Sequence, residues 1–165
     1  MILPDAEQLL ITLADKIRPL LTPDTALVGL HSGGVWLMQR LLPMLGKNLP
    51  NGVLDISFYR DDFSRIGLHP QTKPSQIPFD VQDRHIIIID DVFYTGRTIR
   101  AAMNELFDYG RPASITLAVL VNRGGRELPI EPQIAAAHLD LAPGQNLQLL
   151  RDADGRFYLQ LHEAA

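Results

Sequence analysis

Two adjacent carboxylates, followed at a short distance by threonines and a glycine, are the residues of this chain best suited to chemistry. Asp90 and Asp91 follow four consecutive isoleucines, and Val92, Phe93 and Tyr94 separate them from Thr95, Gly96, Arg97 and Thr98. Backbone N–H groups at a helix N-terminus, helped by the helix dipole and by threonine hydroxyls, make a cradle for one phosphate. Gly96 allows close approach of the backbone to a ligand. Two carboxylates beside that cradle would repel a phosphate unless they serve another part of the same ligand. Vicinal ribose hydroxyls fit, because a carboxylate accepts hydrogen bonds from both. The implied ligand is a ribose 5-phosphate unit.

Other readings compete. A short acidic pair taken alone is more often an ordinary strand end, with Thr95 a plain helix cap. A Walker A loop needs G-x-x-x-x-G-K-[ST], which the chain lacks. A response-regulator receiver carries its acidic pair on the first strand with a lysine later, and no lysine follows residue 91. A haloacid-dehalogenase site needs D-x-D, whereas Val92 and Phe93 follow the pair here.

The elements that must present these residues are legible from pattern. The isoleucine run predicts a buried strand over 86–90. A helix follows from about Gly96 to Tyr109, with Ile99, Ala102, Met103 and Leu106 on its apolar face and Gly110 as its stop. Upstream, Asp5 with Gln8 has the spacing of a capping box, and Leu9, Leu13 and Ile17 form a core-facing stripe. Strands are predicted over 25–30, 52–59 and 114–121, and a helix over 33–45. Two weaker strands near 146–150 and 156–161 flank "RDADG", a hairpin signal. Alternating strands and helices imply an α/β fold, a mostly parallel twisted sheet flanked by helices with a small C-terminal hairpin as a hood or edge. Ligands of such sheets bind at the carboxyl ends of the strands, where Asp90 and Asp91 fall. Residues 61–84 hold three prolines and no sustained period. A loop of that length in a compact domain is a functional lid or disordered.

Composition limits the function classes. The chain has 165 residues, the length of one domain (1–165), with 46% hydrophobic and 21% charged residues. A net charge of −4 gives no global pull toward nucleic acid or membrane. The absence of cysteine excludes disulfides, thiolate metal sites and a cysteine nucleophile. The N-terminus lacks the basic region of a signal peptide, and no apolar run approaches the ~20 residues of a membrane span. A cytoplasmic protein is expected.

"IIIIDDVFYTGRTIRAAM" resembles the phosphoribosyl-pyrophosphate motif of type I phosphoribosyltransferases: an apolar run, two acids, then T-G-x-T. "SFYRDD" (57–62), "DDVFYTGRTIRAA" and "GRPASITLAVLVNRGGRELPI" (110–130) match, in order and spacing, the pyrimidine operon attenuation regulator/uracil phosphoribosyltransferase family. "DAE" (5–7) and "LVGL" (27–30) agree, so the likeness covers most of the chain. It implies that Asp90 and Asp91 hold the ribose hydroxyls, and that Tyr94, Thr95, Gly96, Arg97 and Thr98, with Val92 before them, form the 5-phosphate site. His31, Ser32, Gly33 and Gly34 fall at the pyrophosphate loop. Residues at about 64–80 would form the lid, and 122–130 would begin the base-binding region. The reaction implied is displacement of pyrophosphate from phosphoribosyl pyrophosphate by uracil, giving UMP, with Mg2+ held mainly by substrate and Asp90 and Asp91 beside it. Arg60 and Arg123 are candidates to face pyrophosphate; pairing with Asp61, Asp62 or Glu127 is the competing reading. A homo-oligomer, a dimer or larger, is also implied.

The chain departs from the family pattern at definite places. Where the family reads R-T-R-G, this chain reads His31-Ser32-Gly33-Gly34, so two arginines are lost. Neither a mostly neutral histidine nor a glycine reproduces a bidentate arginine–phosphate contact. Asn122 and Gly125 stand for an Asp and a His. Family members that bind RNA use basic residues in the first helix and a late lysine-bearing segment. Here the first helix offers only Lys16 and Arg18, and 135–145 has no Lys or Arg, so RNA is disfavoured. Three functions follow: uracil phosphoribosyltransferase, nucleotide-responsive RNA-binding regulator, or a binding protein that kept the cradle and lost turnover. Trp36 and Met38 are expected in the core or an interface. His69, His85, His138 and His162 lack metal-ligand spacing, and Lys73 is expected to be solvated.

Overall fold

The computed structural model describes residues 1–46, 48–56 and 75–163. In chain order its elements begin with α1 (Ala6–Ile17), β1 (Thr25–Leu30), α2 (Gly33–Leu45) and β2 (Asn51–Leu54). They continue with β3 (His85–Phe93), α3 (Arg97–Phe107), β4 (Ser114–Asn122), β5 (Ile134–His138), β6 (Gln145–Arg151) and β7 (Phe157–Glu163). The isoleucine strand β3 lies at the centre of a five-stranded sheet of order β2-β1-β3-β4-β5, and every pairing in it is parallel.

A parallel sheet covered on both faces needs strands that are apolar on both faces. β1 is buried at all six positions, and 86–90 of β3 are buried throughout. The period-2 alternation then sorts side chains between two cores. Ile87, Ile89, Ala118 and Leu120 pack with α1 and α2, whereas Ile86, Ile88, Leu117 and Val119 pack with α3. Helix α1 starts where Asp5 accepts the N–H groups of Glu7 and Gln8 at 2.9 and 3.4 Å, satisfying two orphan donors. Its face of Leu9, Leu13 and Ile17 is buried, together with Ala6, Leu10 and Ala14.

Several boundaries differ from expectation. β3 runs on to Phe93 because Val92 and Phe93 keep pairing with Val121 and Asn122 of the equally long β4. The carboxylate pair therefore lies within the strand, not at its last residues. β2 ends at Leu54, and 57–59 of the strand expected over 52–59 lie outside the described residues. Helix α3 begins at Arg97, one residue after Gly96, whose φ of 99° places it in the left-handed region. β5 has no counterpart in the expected pattern: "IAAAH" has weak strand propensity and gains its form from pairing with β4. The C-terminal hairpin is present, but β6 and β7 form their own antiparallel sheet and do not extend the main sheet's edge. Leu147, Leu149, Phe157 and Leu159 turn inward onto the α1–α2 core, so the hairpin forms a hood over the sheet's end. Among the described residues no helix is long and apolar enough to cross a membrane.

Candidate functional site

The strand order reverses direction between β1 and β3, and in open sheets of this order ligands occupy the crevice there. A cavity of about 670 Å³ opens at that point. Its walls come from the end of β1 and the start of α2 (Ser32, Gly33, Trp36), from the 90–99 segment, from Arg123 and from 146–149 of the hood.

Asp90 is 6% exposed and Asp91 half-buried, both in the cavity wall. Each carboxylate uses one oxygen locally: Asp91 N–H donates to Asp90 Oδ1 at 2.9 Å, and Val92 N–H to Asp91 Oδ1 at 2.8 Å. These bonds fix the orientation of the two side chains in the cavity wall. Asp91 Oδ2 lies against Gly33, so closely that a Cβ at position 33 would collide with it. Gly34 is pressed in the same way onto the Ile89 carbonyl. Small residues at 33 and 34 are thus a condition for the α2 N-terminus to sit against the ends of β3.

The 94–98 loop connects β3 to α3 in the cavity wall. Thr95 Oγ1 accepts Arg97 N–H at 3.2 Å, and Gly96 carries the backbone into α3, whose first residues, Arg97, Thr98 and Ile99, line the cavity. Arg97 pairs with Glu127 at 3.1 Å on the exposed side. Tyr94, 46% exposed, lays its ring over the Arg123 guanidinium at 3.8 Å.

The sequence-derived candidates separate into groups. Asp90, Asp91, Val92, Tyr94, Thr95, Gly96, Arg97 and Thr98 are brought together with Ser32, Gly33 and Arg123. His31 is absent from the cavity lining; its N–H joins the Leu54 carbonyl at 3.0 Å, and its peptide with Ser32 is cis. Gly34 is also behind the wall. Arg60, Lys73 and 64–74 of the lid expected at about 64–80 lie outside the described residues, whereas Gln76 pairs with Val53 beside β2. Arg123 is only 6% exposed and does not pair with Glu127, which takes Arg97 instead; its Nε is buried without a hydrogen-bond partner among the described residues. Arg123 follows β4, whereas the 31–34 loop follows β1, so the two flank β3 from opposite sides. Met38 is in the core as expected, and Trp36 packs against that core while also lining the cavity, under the Arg151 guanidinium at 4.0 Å. Asn146 and Gln148 of the hood were not foreseen as site residues. The alternation in β6 gave them an exposed face, but nothing local told where that face would dock.

The fit to Mg2+ follows from the donor set. Among the described residues no group of three or more His, Cys, Asp or Glu can hold a metal. Two hard carboxylates are present, and Mg2+ is commonly bound by one or two carboxylates, with substrate phosphates and water completing its shell. The residues therefore fit an ion that arrives with a phosphorylated substrate.

Comparison with known proteins agrees with this geometry. The family model "Phosphoribosyl transferase domain" matches residues 3–135. "Bifunctional protein PyrR" of Nitrosococcus oceani is 58% identical over 137 residues, covering 82% of this chain and 77% of that protein. The protein of the same name from Pseudomonas syringae is 48% identical over 153 residues, covering 90% of each. Among solved structures, a hypoxanthine-guanine phosphoribosyltransferase from Bacillus anthracis superposes with a TM-score of 0.67 at 15% identity, over 87% of this chain and 84% of that one. A hypoxanthine phosphoribosyltransferase from Staphylococcus aureus gives 0.65 at 16%, over 85% and 78%. At that identity the likeness shows the fold alone. With the fold, the family model and close relatives in agreement, the chain belongs to the type I phosphoribosyltransferases, in the pyrimidine regulator/uracil phosphoribosyltransferase family.

Proposed function

We propose that the protein transfers the ribose 5-phosphate unit of phosphoribosyl pyrophosphate to uracil, releasing pyrophosphate and forming UMP. The observation that carries this reading is the paired carboxylate in the cavity wall, followed within the same wall by the 94–98 loop and the α3 N-terminus. Asp90 and Asp91 accept hydrogen bonds from the ribose 2′- and 3′-hydroxyls. Backbone N–H groups and threonine hydroxyls of the loop hold the 5-phosphate about one sugar's length away. C1 is thereby presented to the acceptor in a fixed orientation, which converts a bimolecular displacement into a positioned one. The C1–oxygen bond to pyrophosphate breaks with its electron pair leaving on pyrophosphate, uracil N1 bonds to C1, and the N1 proton is lost. Asp90 and Asp91 would hold the Mg2+ of the substrate, which supplies charge neutralisation for the leaving pyrophosphate. The acceptor identity comes from the family resemblance; Asn146 and Gln148 give the cavity amide donors and acceptors of the type a pyrimidine edge needs. The test is a transferase assay with phosphoribosyl pyrophosphate, Mg2+ and a panel of radiolabelled bases. UMP as the dominant product is expected, and no product with any base removes the enzymatic reading.

A second reading is favoured by the collision of any Cβ at position 33 with Asp91. The loop has no room for an arginine there, so the pyrophosphate end is weaker than the ribose-phosphate end. A site of that kind suits nucleotide sensing, and the relatives' name "Bifunctional protein PyrR" accords with a role beyond transfer. In this reading UMP occupies the site and biases a regulatory interaction, with turnover slow or absent.

A further inference from the structure

We propose that Glu127 and Leu128 are positioning residues for the phosphate cradle, acting through their backbone N–H groups on the peptide that follows Thr95. The proposal rests on the ribose 5-phosphate reading of the site and assigns to the 124–130 segment a task other than contact with the base. The Thr95 carbonyl accepts two hydrogen bonds, from Glu127 N–H at 3.0 Å and from Leu128 N–H at 3.2 Å. Neither donor residue lines the cavity, whereas Thr95 and Gly96 both do. The two bonds therefore hold the carbonyl on the side away from the ligand.

A trans peptide is planar, with its C=O and N–H pointing in opposite directions. The Thr95–Gly96 bond is trans, since the only cis peptide among the described residues joins His31 to Ser32. Anchoring the Thr95 carbonyl outward thus aims the Gly96 N–H inward, at the cavity. Among the described residues no acceptor meets that N–H. The neighbouring Arg97 N–H is already taken by Thr95 Oγ1. Gly96 N–H is thus a donor left for a ligand oxygen, beside Thr98 N–H at the start of α3, and its direction is set from across the chain.

The rest of the segment is shaped for the same end. Gly124 and Gly125, with φ of 77° and 87°, turn the chain back under the loop, and any Cβ at 125 would meet the Tyr94 ring. Leu128 and Ile130 lie 3.4 and 3.6 Å from where a side chain at 96 would start, closing that side. Upstream, Arg123 N–H binds the Phe93 carbonyl at 3.1 Å, so the loop is pinned at both ends. The Arg97–Glu127 ion pair is half exposed on both sides and adds little, which leaves the backbone bonds as the working contacts.

The test is a ribose 5-phosphate titration of 15N-labelled protein, with UMP and uridine affinities measured on variants. The Gly96 N–H resonance is expected to move downfield on saturation. Glu127→Pro deletes one donor and should lower the ratio of UMP to uridine affinity about tenfold, as expected for a misaligned hydrogen bond to a charged group. Glu127→Gln keeps the N–H and restores the native ratio. Should the proline variant fail to fold, a backbone ester at 128 removes the second donor while keeping the leucine side chain, and the same fall is expected. A Gly96 resonance that stays still while Arg97 and Thr98 move overturns the brace alone. So does an unchanged ratio in the proline variant, or a Gln variant as weak as the proline one. A cradle silent throughout at saturating ribose 5-phosphate overturns the site reading and the brace together.

Discussion

Gly33 and Asp91 are matched to each other, and the match decides what this site does well. With no Cβ at 33, the Asp91 carboxylate lies directly against the start of α2 while keeping its bond to Val92 N–H. The same absence leaves position 33 with no side chain to contribute a cation. Replacing Asp90 and Asp91 together by Asn keeps their shape and their backbone bonds but removes both charges. UMP affinity is expected to fall at least about tenfold, since hydrogen bonds to charged acceptors are roughly twice as strong as neutral ones. The melting temperature should stay within a few degrees, about the effect of 1 kcal/mol. Calorimetric titration with UMP is the measurement, and an unchanged affinity would remove the ribose role. The aspartates could be read from sequence because they are adjacent and followed by their own cradle. Their relation to Gly33 could not, because it exists only once the β1 loop packs beside β3.

The hood is the element on which the site's upper wall depends. Leu147 and Leu149 bury one face of β6 in the α1–α2 core, and this places Asn146 and Gln148 at the cavity. Leu149→Ala is expected to destabilise the protein by about 2–5 kcal/mol through the cavity it leaves. Urea denaturation would measure it, and a loss under 1 kcal/mol would mean the hood docks loosely. The strands β1, β3 and β4 and the helices α1 to α3 were legible within a few residues, because each carries its own period and its own cap or stop. β5 was not, because three alanines between prolines say little until β4 offers an edge to pair with. The hood's strands were legible as a hairpin, but the pattern left hood and edge both open, because an alternating pattern names an inner face without naming what it will cover. Arg123 followed from its position after a buried strand, yet its stacking under Tyr94 needed the turn at Gly125.

At the scale of the molecule, charge bears on the regulatory reading. The net charge is −4, and the basic residues near the end of the first helix are engaged within the chain. Lys16 Nζ donates to the Ala135 carbonyl at 2.9 Å, and Arg18 to Asp15 at 2.8 Å and the Met44 carbonyl at 3.2 Å. RNA binding depends on cations free to neutralise phosphates. We expect only weak binding to pyrimidine leader RNA, with a shallow dependence on salt, measured by filter retention with and without UMP. Tight binding with a steep salt slope would restore the RNA-regulator reading. Trp36 gives this molecule a further property. It is the chain's one tryptophan, and it stands in the cavity wall under the Arg151 guanidinium. The protein thus carries its single tryptophan at the junction of hood and sheet. Excited at the red edge of its absorption, where the chain's four tyrosines absorb little, it lets occupancy of the site and movement of the hood be followed optically without a label.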